Sequence, residues 1–323
     1  MDTKLQKALD NLQRSIAKHR QEIGKPGLNQ AVETAEAVEP RQEEDLFKAN
    51  LTDPSPRDQQ DLMSLPFFSL SKTKRTEPII YEQGNVKVEV NGLAKTGIAT
   101  IWDADLLIWI ASQLNTALEA GERPTRRLWI VPYQFLTATK RMSPHTKGYR
   151  AYLQFKDCLR RLQGTTVETT IKAGGKQIIK AWSWIDSWEV HEDEHGRMTG
   201  VEIILSEWFF RRVVDDRSIL AIHTDYFLLT GGIERWLYRI VRKHCGNNVS
   251  GWSFTLYKLY EKYPPGREFR KFKHDLKTIV KLDCLPEYHI AWETSNGVDW
   301  VHFYLRQGAI GGRKLPRSLR GSA

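Results

Sequence analysis

No run of 18 or more apolar residues occurs in this 323-residue chain, which excludes an ordinary membrane-spanning helix. The first residues, MDTKLQKALDNLQRS, lack the apolar core of a secretion signal. Cysteine is scarce. Cys158, Cys245 and Cys284 lie far apart and fit neither a disulfide framework nor a zinc-ligand spacing, so a reducing cytoplasmic setting is the simplest expectation. The phosphate-binding pattern GxxxxGK[ST] is missing, which removes the usual ATP-binding loop. No local Ser-His-Asp or Cys-His arrangement is apparent, and no cofactor is expected. What remains is a chain with 41% hydrophobic and 27% charged residues, long enough for two packed domains.

Charge is divided unevenly. Residues 1–65 carry 9 Lys/Arg against 12 Asp/Glu, while residues 66–323 carry 39 against 27. A basic body behind an acidic leader points to a polyanion, because binding phosphates releases condensed counterions.

The leader reads as a helix over residues 4–23, with Leu5, Leu9, Leu12, Ile16 and Ile23 in heptad-like spacing and Gly24, Pro26 and Gly27 ending it. Residues 24–62 have few large apolar residues and read as a flexible linker. From Pro66 the text becomes ordered. Val86, Val88 and Val90 alternate as in a strand, and IWDADLLIWIASQLNTAL predicts a helix over Trp102–Leu118 with Asp103 as its cap. A short strand (128–131) and two helices (132–140 and 146–162) follow. Three β-rich runs come next, TTVETTI, IIKAWSWIDSWEV and GVEIIL, then a helix over 206–214. The second half predicts helices over 225–245, 252–263 and 267–281 and a hairpin turned by SNG. Each half thus reads helix, helix, helix, hairpin, which is the order of a winged helix. The expected fold is α+β, with two tandem winged-helix domains at 63–216 and 217–306. A helical or disordered leader (1–62) and a loose basic tail (307–323) flank them.

The segment REFRKFKHDLKTIVK carries the strongest functional signal. At 100° per residue Phe269, Phe272, Leu276 and Ile279 share one face, and Arg270, His274, Lys277 and Lys281 share the opposite one. It follows Pro264-Pro265-Gly266, where a recognition helix belongs. Arg267, Arg270, Lys271, Lys273, His274, Lys277 and Lys281 are the candidate DNA contacts in this half. In the first half the corresponding helix offers Lys147, Arg150, Lys156, Arg160 and Arg161 as phosphate contacts, although cations near a helix C-terminus also suit its dipole. Arg235, Arg239 and Arg242 share a face of their helix and read equally well as phosphate contacts or as a solvated surface.

Two patterns point elsewhere. His191-Glu192-Asp193-Glu194-His195 matches H-E-x-x-H, but it sits between strand-like runs, whereas zinc hydrolysis needs both His on one helical turn. It reads as a hairpin turn, and no metal is expected. Tyr257, Tyr260 and Tyr263 have the spacing of a packed helix face rather than of nicking nucleophiles.

The phrases PFFSLSKTKRTEPIIYE, GIATIWDADLLIWIASQLN, DYFLLTGGIERWLYRIVRKHCG and GWSF resemble the replication initiator protein A family of bacterial plasmids over roughly Pro66–Arg306. The resemblance implies a non-enzymatic initiator that binds repeats (iterons) in double-stranded DNA at an origin, with no membrane role. It implies a C-terminal winged helix that reads the major groove and an N-terminal one that contacts phosphate in the monomer and pairs with a second copy in a repressive dimer. Opening of adjacent DNA, control of plasmid copy number, and recruitment of the host initiator and replicative helicase follow as expectations. A dimeric winged-helix transcription repressor is the alternative that shares the same body.

Overall fold

The computed structural model describes residues 46–52, 54–142, 148–173, 176–248 and 250–306, with the side chains of 171–173 and 176 left aside. The chain divides into two units, Met1–Glu44 and Asp45–Ala323, and every described residue belongs to the second. The expected leader helix (4–23), the basic tail (307–323) and Lys147 lie outside the described residues.

The described chain opens with β1 (Leu46–Ala49), β2 (Arg57–Gln59) and α1 (Gln60–Ser64), then β3 (Ile79–Gln83) and β4 (Val86–Gly92). Next come α2 (Ala104–Glu119), β5 (Arg127–Ile130), α3 (Pro132–Ala138) and α4 (Tyr149–Gly164). Four strands follow: β6 (Thr165–Ala173), β7 (Lys176–Ser183), β8 (Ile185–Glu192) and β9 (Met198–Leu205). The first half closes with α5 (Glu207–Val214). The second half comprises β10 (Ile219–Ala221), a 3-10 turn (Thr224–Leu228), α6 (Gly232–Cys245), β11 (Trp252–Thr255), α7 (Leu256–Glu261), α8 (Phe269–Leu282), β12 (Tyr288–Ser295) and β13 (Val298–Leu305).

One topology occurs twice. In the second half, helix, strand, two helices and a hairpin give α6-β11-α7-α8-β12-β13, with strand order β11-β13-β12. The first half repeats this as α2-β5-α3-α4-β8-β9, with order β5-β9-β8. This is the α+β, tandem winged-helix architecture expected. The first copy is elaborated: β1 adds a parallel strand to β5, and the β6–β7 hairpin leaves between α4 and β8 to join β3 and β4 in a second sheet.

Several boundaries differ from expectation, each for an identifiable reason. The expected linker gives way to folded chain at Leu46: β2 pairs antiparallel with β10, and Asp58 and Gln59 are fully buried. Its stability comes from backbone pairing and buried polar partners, which a hydrophobicity count does not register. The expected single strand IIKAWSWIDSWEV breaks at the buried Trp184, and its halves join different sheets. The expected helix at 225–245 begins only at Gly232, where a Cβ would meet the Leu70 carbonyl oxygen at 2.0 Å. The expected helix at 252–263 starts as strand β11, because pairing with β13 satisfies Trp252–Thr255 before Thr255 caps α7 by accepting from the Lys258 N–H. Asp103 does not cap α2. Its carboxylate instead accepts from the Thr100 N–H at 2.7 Å and from Arg161.

The core is one cluster running through both halves. α2 is buried over most of its length, and α6 buries Trp236, Leu237, Ile240 and Val241. Arginines of α6 cross between the halves. Arg235 meets Asp105 at 2.7 Å, and Asp105 also receives Arg141 at 3.0 Å. Arg239 binds both oxygens of Asp58, at 2.6 and 2.9 Å. Arg242 donates to the Ala221 carbonyl, and Lys243 to the Gln60 carbonyl and the Ser64 hydroxyl. This overturns both readings of the α6 cations as surface groups. Arg235 and Arg239 are structural because two carboxylates stand ready inside the core to neutralise them, and the half-buried Arg242 and Lys243 are held by neutral oxygens.

Candidate nucleic-acid interface

α8 is built as a two-faced rod. Phe272, Leu276 and Ile279 are buried, and Phe272 meets Trp236, Tyr260 and Tyr263 edge-on or tilted at 5.1–6.1 Å. Phe269, expected in the same row, is 39% exposed and packs edge-to-face on Tyr260 and tilted against the exposed Tyr257, because the helix begins there and has no preceding turn to cover it. Tyr260 also donates to the Arg267 carbonyl oxygen at 2.5 Å, which fixes the turn into the helix. At the other end Asp283 takes a left-handed conformation, and its carboxylate accepts from the Ile290 N–H. The helix is thereby held to β12 at its exit.

The opposite face is cationic and open. Arg270, Lys271, His274, Lys277 and Lys281 are all exposed. Among the described residues Arg270, Lys277 and Lys281 make no ion pair. The Lys277 ammonium stands 5.1 Å over the Trp292 ring, a contact that leaves its charge available. Lys271 pairs loosely with Glu268 at 3.4 Å. Two other sequence candidates are spent within the protein. Arg267 pairs with Asp275, and Lys273 reaches Asp299 at 2.5 Å. The Lys273 hydrogen bond holds the Asp299 carboxyl below its usual range and ties α8 to the β12–β13 wing. The wing's second acid, Glu293, pairs with His302 at 3.2 Å. Asn296 and Gly297, both at positive φ, close this hairpin tightly.

The first-half helix differs. The spacing of α4 predicts a face of Tyr152, Phe155, Leu159 and Leu162; the last three are buried together with Cys158, and Tyr152 is half-buried. The α4 cations are largely neutralised: Lys156 meets Glu192 at 2.6 Å and Arg160 meets Asp157 at 2.8 Å. Arg161 grips both oxygens of Asp103 at 2.7 Å, and this hydrogen bonding pushes its guanidinium further up. Arg150 alone among the four described candidates is exposed without an ion pair. His191 and Glu192 end β8, and His195 lies in the turn, so the H-E-x-x-H residues occupy a hairpin instead of one helical turn. Among the described residues no group of three or more His, Cys, Asp or Glu could hold a metal ion.

Sequence reasoning passed over Asp58, Asp105 and Arg141, and took Asp103 for a helix cap when its carboxylate serves Arg161. A signal was present: Asp103 and Asp105 interrupt an otherwise apolar run, and carboxylates in such a setting need buried partners.

Two winged helices in tandem, one presenting the open cationic face of α8 beside its wing, define a nucleic-acid-binding protein class. A family model described as replication initiator protein A matches residues 57–290, and the chain belongs to that family. A protein of Wigglesworthia glossinidia brevipalpis named "Putative replication protein" is 36% identical over 238 residues, spanning 72% of this chain and 84% of that relative. Domains 2 and 3 of RctB match with a TM-score of 0.54 at 12% identity, covering 76% of this chain and 98% of that structure. The likeness to RctB speaks for the fold alone. Among the described residues no helix is long and apolar enough to cross a membrane.

Proposed function

We propose that this replication initiator binds repeated sequences in the double-stranded DNA of a plasmid origin, with α8 in the major groove as the sequence reader. The observation that carries the reading is the open face of Arg270, His274, Lys277 and Lys281, backed by the buried Phe272, Leu276 and Ile279. Arg270 supplies the fork suited to guanine O6 and N7, while Lys277 and Lys281 suit phosphate. Lys273 and Arg267 shape the helix and wing through their ion pairs with Asp299 and Asp275. α4 takes the supporting role: with three of its four described cations paired, Arg150 is left to touch phosphate and to orient the first winged helix.

Bound copies on adjacent repeats would bend and open neighbouring DNA, at a cost of a few kcal/mol per unstacked step. The exposed strand would then receive the host initiator and helicase, without enzymatic chemistry by this chain. The test is binding of a repeat duplex by the Arg270→Ala/Lys277→Ala double variant. Loss of repeat binding with an unchanged thermal melt is expected. Retained selective binding would move the reader away from α8.

A further inference from the structure

The segment SKTKR lies outside both α4 and α8. It forms a loop, Ser71–Thr76, at the junction of the two winged helices. Its entry passes the start of α6, where the Leu70 carbonyl lies against Gly232. Its exit is held by Arg75, whose backbone carbonyl accepts from the Ile98 N–H at 2.8 Å. The Arg75 guanidinium binds three carbonyl oxygens, those of Glu77 (3.0 Å), Pro78 (3.0 Å) and Pro265 (3.3 Å). Pro265 stands in the turn that leads into α8, 190 residues away in sequence. A half-buried arginine with no carboxylate bond therefore fastens a first-half loop to the entrance of the second-half reader.

The loop that Arg75 fastens is cationic. Lys72, Lys74 and the neighbouring Lys95 are exposed, and among the described residues none makes an ion pair. Lys74 donates to the Ala94 carbonyl at 3.3 Å, which brings the Lys95 loop alongside. The Lys72 ammonium sits 5.1 Å over the Trp102 ring. These contacts orient the amines without neutralising them. The carboxylate that follows the loop, Glu77, acts electrostatically on Arg75. A recognition helix enters the major groove by its N-terminal residues, so whatever flanks that end faces the phosphate wall of the groove.

We propose that Lys72, Lys74 and Lys95 form a phosphate grip on the same duplex that α8 reads, and that Arg75 is the residue that positions it. The proposal rests on the DNA-binding reading above. It adds a sequence-independent contact that ties the two winged helices to one stretch of backbone.

The experiment measures full-length protein by fluorescence anisotropy on a repeat duplex and a scrambled duplex, between 50 and 200 mM salt. Each lost phosphate contact should flatten the slope of log K against log salt by about 0.9, so Lys72→Ala/Lys74→Ala/Lys95→Ala should flatten it by nearly three. Affinity should fall by a similar factor on both duplexes, leaving their ratio unchanged, and the same changes to Gln should act alike. Arg75→Lys keeps the charge but loses the fork to three carbonyls; it should remove the backbone footprint beside the reader site while base protection by α8 persists. A wild-type slope in both triple variants would overturn the grip, and a wild-type footprint in Arg75→Lys would overturn the positioning role. Wild-type protein that did not prefer the repeat duplex would instead sink the reader hypothesis.

Discussion

Arg239 holds both carboxylate oxygens of Asp58 across 181 residues of sequence, and neither side chain is more than 3% exposed. Burial pushes the Asp58 carboxyl above its ordinary value, and the guanidinium opposes that shift. The pair joins the stretch before α1 to the first helix of the second winged helix. With Arg235–Asp105 it fixes how the two halves meet.

Removing one partner of such a pair leaves a buried charge without compensation, at a cost of about 3–5 kcal/mol. Arg239→Ala should lose stability of that order in urea unfolding. Arg239→Met combined with Asp58→Leu should recover most of it, since the desolvation penalty disappears with the charges. Equal losses in single and double variants would show that the pair's charge is not what matters.

Phe272 and Phe269 are three residues apart and should differ sharply. Phe272→Ala opens a cavity among Trp236, Tyr260 and Tyr263, with an expected loss of about 3–5 kcal/mol. Phe269→Ala, at a half-open site, should cost clearly less than that. Comparable denaturation midpoints for the two variants would contradict the packing described for α8.

Truncation gives a third prediction. A chain starting at Asp45 keeps β1, β2 and Asp58, whereas one starting at Asp61 loses all three and strands Arg239. The shorter chain should melt well below the longer one or fail to fold. Matching melts would return residues 46–60 to the status of a linker.

His244 carries a pH signature. Burial against Trp252 and Phe254, with Lys262 and Lys243 nearby, pushes its ring from 6.5 down to about 4. The folded state therefore prefers the neutral imidazole. Its contribution is fully present above pH 6.5 and is lost as pH falls toward 4, as the unfolded chain takes up the proton first. Because the ring is only partly buried, the expected effect is about 1 kcal/mol. His244→Gln should flatten the melting midpoint over that interval relative to wild type; parallel curves would contradict the assignment.

Much of α8 was legible because amphipathic spacing is local. Phe272, Leu276 and Ile279 recur at helical intervals, and the cations fall opposite them whatever the rest of the chain does. The wing was legible for the same reason, through its alternation and its Asn-Gly turn. The cations of α6 were not. Arg235, Arg239 and Arg242 have the spacing of a surface stripe, and nothing near them in sequence reveals Asp105, Asp58 or the Ala221 carbonyl. Likewise Arg161 and Lys273 look as free as Arg270 until Asp103 and Asp299 come within reach.

The order of amino acids by itself determined the doubled helix-and-hairpin plan, the basic body and the two-faced reader, since periodicity and composition act over a few residues at a time. Which cations stay open to a partner and which are locked inside was decided only by the tertiary structure. For Lys273, Arg161, Arg235 and Arg239 the pairing depends on carboxylates brought close from 26 to 181 residues away, and charge burial follows that proximity rather than the local pattern.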